Sequence, residues 1–160
     1  MAKKDFTHIN SDGQVHMVDV GEKEITKRMA IARSFISLPS EILEGLDNKK
    51  DLQTKKGPVF HTAALAGIMA VKKTSDLIPL CHPLPVTKCD VKLTPHEDGI
   101  EIICTVSCTG KTGVEMEALT GASIAALTVY DMCKSFGHDM EIRETKLLTK
   151  TGGKSDYNAG

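Results

Sequence analysis

Hydrophobic and polar residues alternate in several stretches of the chain and recur at helical spacing in others. Alternation predicts strands at residues 28–38, 86–96, 100–108 and 140–150. Spacing of three and four residues predicts helices at 59–74 and 115–136, with a short helix at 40–46 after Pro39. In the first stretch Ala30 and Ala32 blur the alternation, so a helix remains an alternative there.

The first predicted strand has two distinguishable faces. Met29, Ile31 and Phe35 occupy one side. Arg28 and Ser34 occupy the other side, with Ile36 among them. Successive side chains of a strand point to opposite faces, so these two groups mark the two sides of the strand.

Without the short helix, the elements follow the order β-α-β-β-α-β. This order predicts an α+β, ferredoxin-like fold, with a mainly antiparallel four-stranded sheet and both helices on one face. A chain of 160 residues fits a single domain, 1–160, with an N-terminal arm at 1–27 and a flexible tail at 151–160. If the other face of the sheet is apolar it needs a cover, which favours an oligomer.

Composition narrows the classes of function. The net charge of −1 and the 4% aromatic content argue against a nucleic-acid partner. No stretch reaches the ~20 apolar residues of a membrane span, and the start lacks the apolar segment of a secretory signal. The five cysteines include no CxxC pair, which favours reduced thiols and a cytoplasmic location.

Two glycine-rich segments resemble phosphate loops but do not fit that motif. In TGKTG the first required glycine falls at Thr105, and in TGGKS it falls at Leu148. Cys104 and Cys108 share one strand face about 13 Å apart at ~3.3 Å per residue, which excludes a disulfide between them and favours core packing. No spacing of histidines and cysteines resembles a closed zinc site.

The helix at 115–136 carries charged residues at both ends. Glu115 and Glu117 suit a group rich in N–H donors, such as a guanine edge, although acids in a first turn also stabilise the helix dipole. Asp131 and Lys134 are three residues apart, so they can form an ordinary surface ion pair or, if partly buried, a proton-transfer pair that needs no metal. Glu117 and Asp131 are separated by about 21 Å at ~1.5 Å per residue. A site using both therefore takes a long ligand or combines two subunits.

Lysines and one rigid loop supply the remaining candidates. The loop 47–57 contains Lys49, Lys50, Lys55 and Lys56. It is either a solvated loop or a cationic clamp for a polyphosphate, with Lys56 as the best candidate and Lys150 and Lys154 as additions. The loop 77–86 has three prolines and presents Cys81 and His82. His82 is either a structural residue or a phosphate donor and proton carrier.

Several motifs together resemble one known family. KTGVEMEALT (111–120), LIPLCHPL (77–84) and YDMCK (130–134) are similar to the cyclic pyranopterin monophosphate synthase family of molybdenum cofactor biosynthesis. THIN…HMVDV (7–20) and TGGKS (151–155) match as well. The resemblance implies a lyase that converts 3′,8-cyclo-7,8-dihydroguanosine 5′-triphosphate to cyclic pyranopterin monophosphate and pyrophosphate. It also implies a ferredoxin-like fold and a hexamer, a trimer of dimers with sites at subunit interfaces.

The resemblance also implies roles for individual residues. Asp131 matches the catalytic acid–base residue and Lys134 a catalytic lysine. Substrate-binding positions match Leu80, Cys81, His82, Glu115, Met116 and Glu117, and His82 is also tied to catalysis. Lys56 matches a substrate-handling lysine, although the surrounding loop 47–58 departs more from the family pattern.

Two alternative functions stay open at this point. One is a nucleotide-binding oligomer, a sensor or scaffold without chemistry. The other is a metal enzyme, which the residue spacing argues against, since no protein-only metal cage is evident. No cofactor is expected, apart from a magnesium ion that the triphosphate could bring with it.

Overall fold

The computed structural model describes residues 6–47 and 50–160, and the predicted succession of strands and helices is found there. In chain order the elements are β1 (Thr26–Ser37), α1 (Ser40–Leu43), β2 (Leu46–Asp47), β3 (Asp51–Thr54), β4 (Gly57–Pro58), α2 (Val59–Lys72), α3 (Thr74–Leu77), β5 (Val86–His96), β6 (Gly99–Gly110), α4 (Glu115–Cys133), a 3-10 turn (Lys134–Phe136), β7 (Glu141–Thr151) and β8 (Tyr157–Asn158). Two of these elements depart from expectation at their ends. The short helix α1 stops at Leu43, and α4 gives way to the 3-10 turn after Cys133.

The main sheet has the order β5-β6-β1-β7-β8, and every neighbouring pair is antiparallel. The long helices α2 and α4 pack against each other and against this sheet. The β-α-β-β-α-β prediction is therefore confirmed, and the fold is ferredoxin-like α+β. The main sheet gains β8, in which the tail, predicted to be flexible, pairs with Thr149 and Lys150 of β7.

The side of β1 that carries Ser34 and Ile36 packs into the core. Ala30, Ala32, Ser34 and Ile36 point into the core and are fully buried. Met29 and Ile31 lie on the opposite face and are only half-buried. Alanines suit the core face because their small side chains let the helices approach the sheet closely.

Strand β6 supplies the centre of the core, as its pattern predicted. Ile100, Ile102, Cys104, Val106 and Cys108 all point under the helices and are fully buried. Both thiols are free, which confirms the interpretation of these cysteines as packing residues.

The two long helices approach closely where each has a glycine. A Cβ added at Gly67 would lie 2.9 Å from the backbone oxygen of Gly121, and one added at Gly121 would lie 2.6 Å from Cys104 Sγ. The outer faces of the helices behave differently, since Leu65, Met69 and Leu127 are exposed. Within one chain, therefore, only the side of α2 that faces the sheet and α4 is buried.

The charged segment 47–57 was predicted to be a loop, and it forms small strands instead. β2 pairs with β3, and β3 pairs with β4, to make a separate three-stranded sheet. Lys55 and Lys56 form the two-residue turn between β3 and β4. Lys49 lies outside the described residues.

Among the helices of residues 6–47 and 50–160, none combines the length and the apolar character needed to span a bilayer.

Candidate functional site

The candidate residues gather at the two ends of α4. At the beginning of the helix, a cleft of about 810 Å³ opens between the helix, the proline-rich loop and the N-terminal arm. The loop contributes Leu80, Cys81 and His82, and the first turn of the helix contributes Glu115, Met116 and Glu117. The predicted substrate-binding residues of loop and helix therefore share one cavity.

Residues 7–23 of the arm form one wall of this cleft. Thr7, His8, Val15, Val18, Val20 and Lys23 line it from the arm. The side-chain ammonium of Lys111 donates to the carbonyl of Gly21 at 2.6 Å, which fastens the arm to the turn before α4. The lining is mainly aliphatic, with imidazole and carboxyl groups at a few points, a combination that suits a flat, polar-edged ring.

Glu117 is the most deeply buried acid of the cleft, with 4% of its surface exposed. Burial raises its pKa, and the neighbouring charge of Glu115 adds to the rise against a hydrogen bond from its own backbone. A carboxyl group in such surroundings gains from a ligand that donates hydrogen bonds to it. Burial, aided by the charge of Glu117, also raises the pKa of the Cys81 thiol, which argues against a reactive thiolate there.

A second cleft, of about 570 Å³, shares Lys23, Thr112, Gly113 and Glu115 with the first. Basic side chains line it from four places in the sequence: Lys23, Arg28, Lys150 and Lys154. Glu115 is neutralised in part, because its Oε1 lies 3.2 Å from Lys150 Nζ. The repulsion that Glu115 would exert on a phosphate is therefore weakened. Glu22 and Glu24 line the same cleft, so a polyphosphate there would lie among four basic and three acidic side chains.

Arg28 and Lys23 are candidate residues that sequence reasoning did not find. Arg28 is buried at the start of β1, and its guanidinium donates to the carbonyls of Gly110 (3.3 Å) and Lys111 (3.2 Å). These bonds hold the glycine turn that precedes α4. The only signal in the sequence was a charged residue in an otherwise apolar strand.

At the other end of α4, three charged side chains form one cluster. Asp131 Oδ1 lies 2.7 Å from Lys134 Nζ, and Asp131 Oδ2 lies 2.9 Å from Lys56 Nζ. Lys56 also donates to the backbone carbonyl of Asp131 at 3.2 Å. The structure thus brings together the three residues assigned to acid–base work and substrate handling.

The hydrogen bonds within this cluster set its protonation. Those from Lys134 and Lys56 lower the pKa of Asp131, and the bond to Asp131 raises the pKa of Lys134. All three side chains are half-exposed, so within a single chain the Asp131–Lys134 pair matches the first of the two alternatives, a surface ion pair. In this open state the cluster is a charged, solvent-accessible group.

The cluster is remote from the cleft that begins α4. Glu117 and Asp131 lie on one continuous helix, about 21 Å apart at ~1.5 Å per residue. His82 lies with Glu117, away from Asp131 and Lys134. Within the described residues, no three histidine, cysteine or acidic side chains are grouped so that they could hold a metal ion.

Comparison of the sequence with known proteins identifies a family. A family model described as the MoaC family matches residues 17–153. The chain belongs to the MoaC family. Among curated proteins, molybdenum cofactor biosynthesis protein 1 of Dictyostelium discoideum is 47% identical over 172 aligned positions. The alignment covers 97% of this chain and 27% of that protein, so the chain spans about a quarter of its relative's length.

The MoaC match includes both ends of α4, the proline-rich loop and Lys56. It ends at Gly153, so Lys154 lies outside it, as do the arm residues Thr7, His8 and Val15. The walls that the arm adds to the first cleft thus come partly from outside the matched region.

Proposed function

We propose that the protein acts in molybdenum cofactor biosynthesis as a cyclic pyranopterin monophosphate synthase. The reaction converts 3′,8-cyclo-7,8-dihydroguanosine 5′-triphosphate to cyclic pyranopterin monophosphate and releases pyrophosphate. The observation that carries the proposal is the pair of adjoining clefts at the start of α4. The first is lined mainly by apolar groups with two acids, and the second has four basic side chains together with Glu22, Glu24 and Glu115. This pairing suits a guanine-derived ring joined to a triphosphate.

The first cleft would orient the ring. Glu117 and Glu115 accept hydrogen bonds from the amino and ring N–H groups of the guanine-derived edge, while Met116 and Leu80 contact its faces. Lys150, Lys154 and His82 neutralise the phosphates. Donors of this kind stabilise negative charge that grows on the phosphate oxygens as pyrophosphate leaves.

The cluster at the end of α4 would move protons. Asp131 is held ionised by Lys134 and Lys56 and can accept a proton, while Lys134 can return one. The sugar bond opens through these steps, and intramolecular attack of a hydroxyl on the α-phosphate then breaks the bond to the departing pyrophosphate. No metal held by the protein enters this scheme, although magnesium bound to the triphosphate is compatible with it.

We propose further that the working site combines two subunits. The two ends of α4 are about 21 Å apart in one chain, at ~1.5 Å per residue, too far for one reacting centre. A dimer that places the end of one α4 against the beginning of another removes the gap. A hexamer built as a trimer of dimers and a cytoplasmic location complete the proposal.

The decisive test of function supplies the purified chain with the cyclised nucleotide and measures pyrophosphate. Release at enzymatic rates is expected, with loss of turnover in Asp131→Asn and Lys134→Ala and retained thermal stability in both. Both side chains are half-exposed, so neither change should unfold the chain. Near-normal turnover in either variant would contradict the assignment, and binding without release would favour a nucleotide sensor.

A complementation test addresses the shared site. Asp131→Asn and Glu117→Gln chains, each inactive alone, are co-expressed with different affinity tags and the mixed oligomers purified. If each site takes Glu117 from one chain and Asp131 from the other, each purified mixed dimer has one intact site of two, so about half of the wild-type activity should return. No recovery in verified mixed oligomers would place both residues of each site on the same chain.

A further inference from the structure

The hairpin β3–β4, which carries Lys56 at its tip, is fastened to α2 by one buried carboxylate. Asp51 Oδ1 accepts hydrogen bonds from the backbone N–H groups of Leu52 (2.7 Å) and Phe60 (2.7 Å). Asp51 Oδ2 accepts one from the backbone N–H of His61 (3.2 Å) and also contacts His61 Nδ1. One side chain thus joins the base of the hairpin to the first turn of the helix.

Asp51 takes the place of a missing helix cap. The residue at the N-cap of α2 is Pro58, which makes no side-chain capping bond. The amides of Phe60 and His61 are those that a capping side chain would normally satisfy, and Asp51 satisfies them from the neighbouring strand. Burial by itself would raise the pKa of Asp51, but these hydrogen bonds outweigh burial and lower it, so the carboxylate stays ionised.

The hairpin connects the anchored strand β3 to Lys56. Thr54 pairs with Gly57, and the N–H of Lys56 donates to Thr54 Oγ1 at 3.2 Å. Gly57 has a φ of +110°, a conformation that side-chain-bearing residues rarely adopt, which explains the glycine at this turn. The position of β3 therefore determines where the Lys56 ammonium meets Asp131.

We propose that Asp51 is a positioning residue for the Asp131 cluster: by holding β3 on the first turn of α2, it places Lys56 against Asp131. The inference rests on the proposed function only for its effect on turnover. The contact between Lys56 and Asp131 can be measured whether or not the chain is an enzyme.

The side chain of Leu52 keeps the test interpretable. It is buried in the core next to Asp51, so the hairpin stays attached to the protein when the carboxylate is removed. Asp51→Ala should therefore shift the hairpin rather than detach it. Asp51→Asn, which keeps the shape and one acceptor oxygen, is the second variant in case the alanine variant folds poorly.

The first measurement is the pKa of the Asp131 side chain, followed by carbon-13 NMR of the carboxyl group during a pH titration. Lys56→Met removes the ammonium and should raise that pKa. Asp51→Ala should raise it in the same direction with Lys56 still present, and Asp51→Asn should raise it less. Val106→Ala is the control for lost stability. It opens a cavity in the core, where Val106 of β6 pairs with Ala30 of β1, and it should leave the pKa of Asp131 unchanged.

The second measurement is turnover of the cyclised nucleotide. Misplacing a reacting group by about 1 Å can cost about 100-fold in rate, so Asp51→Ala should lower kcat about 10- to 100-fold with little change in KM. In a Lys56→Met background the same change should have almost no further effect, since its target is already absent.

The outcomes separate the two proposals. An unchanged Asp131 pKa in Asp51→Ala, where Lys56→Met raises it, overturns the positioning role. No rise in Lys56→Met overturns it as well, because the contact is then absent in solution. Raised pKa values with unaltered turnover in both variants uphold the positioning role and contradict the part given to Lys56 in the proposed reaction.

Discussion

Gly121→Ala should destabilise the protein, although alanine is the better helix former. Gly121 lies in the middle of α4, where that helix crosses α2 and the sheet. A Cβ at this position would lie 2.6 Å from Cys104 Sγ and 2.7 Å from Val71 Cγ2. Both neighbours are buried with almost no exposed surface, so neither has free space into which it can move.

The size of the effect follows from two opposing contributions. Alanine gains about 1 kcal/mol over glycine in a helix interior. Overpacking a tight core costs about 1–3 kcal/mol, and two contacts well inside van der Waals distance favour the upper part of that range. The net loss should be about 1–2 kcal/mol, or a fall in Tm of about 2–8 °C for a chain of this size.

Thermal and urea unfolding at one fixed protein concentration measure the change, because stability in an oligomer depends on concentration. Ser123→Ala, two residues further along α4 and only half-buried, is the matched control, and it should be neutral or slightly stabilising. Val71→Ala should partly relieve Gly121→Ala, so the double variant is less destabilised than the sum of the single ones. If Gly121→Ala stabilises the protein as Ser123→Ala does, the crossing of α2 and α4 has room for a methyl group and the reasoning is wrong.

Three further predictions concern ionisable groups. Burial raises the pKa of Cys133 to about 11, so a thiol reagent at pH 8 should label the partly exposed Cys89 in the folded protein and Cys133 only after unfolding; mass spectrometry identifies the sites, and early labelling of Cys133 would contradict its burial. Burial raises the pKa of Glu117, so its ionisation above the ordinary glutamate pKa opposes folding. Glu117→Gln should therefore raise the Tm at pH 7–8 but not in acid. An equal rise in Tm at both pH values would refute this explanation. The lowered pKa of Asp51 stabilises the folded protein fully above the ordinary aspartate pKa, and this stabilisation is lost as the pH falls through the pKa of Asp51 in the folded state. The Tm difference between wild type and Asp51→Ala should therefore shrink in acid. A constant Tm difference would indicate a packing effect instead.

The strands and long helices were predictable because their signals are local. Alternation over ten or so residues and a sustained helical spacing each leave a long pattern in the sequence. The small sheet at 46–58 left none, since strands of two to four residues are too short to show a period. The two faces of β1 could be told apart from the sequence, but which one packs into the core depends on the helices, which select the small side chains of Ala30 and Ala32.

The candidate site was likewise predictable from the sequence only where its contacts are local. Asp131 and Lys134 could be paired from sequence because residues three apart on a helix are neighbours. The approach of Lys56 to Asp131 joins positions far apart in the chain and depends on the turn of the β3–β4 hairpin. Arg28 was missed because its role appears only when β1 lies beside the turn at Gly110.

The length of α4 is the strongest argument for a shared site. The helix runs without a break from Glu115 to Cys133, so no internal closure can bring Glu117 and Asp131 together. Leu127, one turn before Asp131, is 55% exposed, so a large apolar side chain lies on the surface beside the charged cluster. Covering that leucine with a second chain would also bring that chain's residues beside Asp131 and remove water from its ion pairs, which would strengthen them. We infer that the apolar surface and the proton-transfer cluster serve the same contact, and the mixed-oligomer experiment tests both at once.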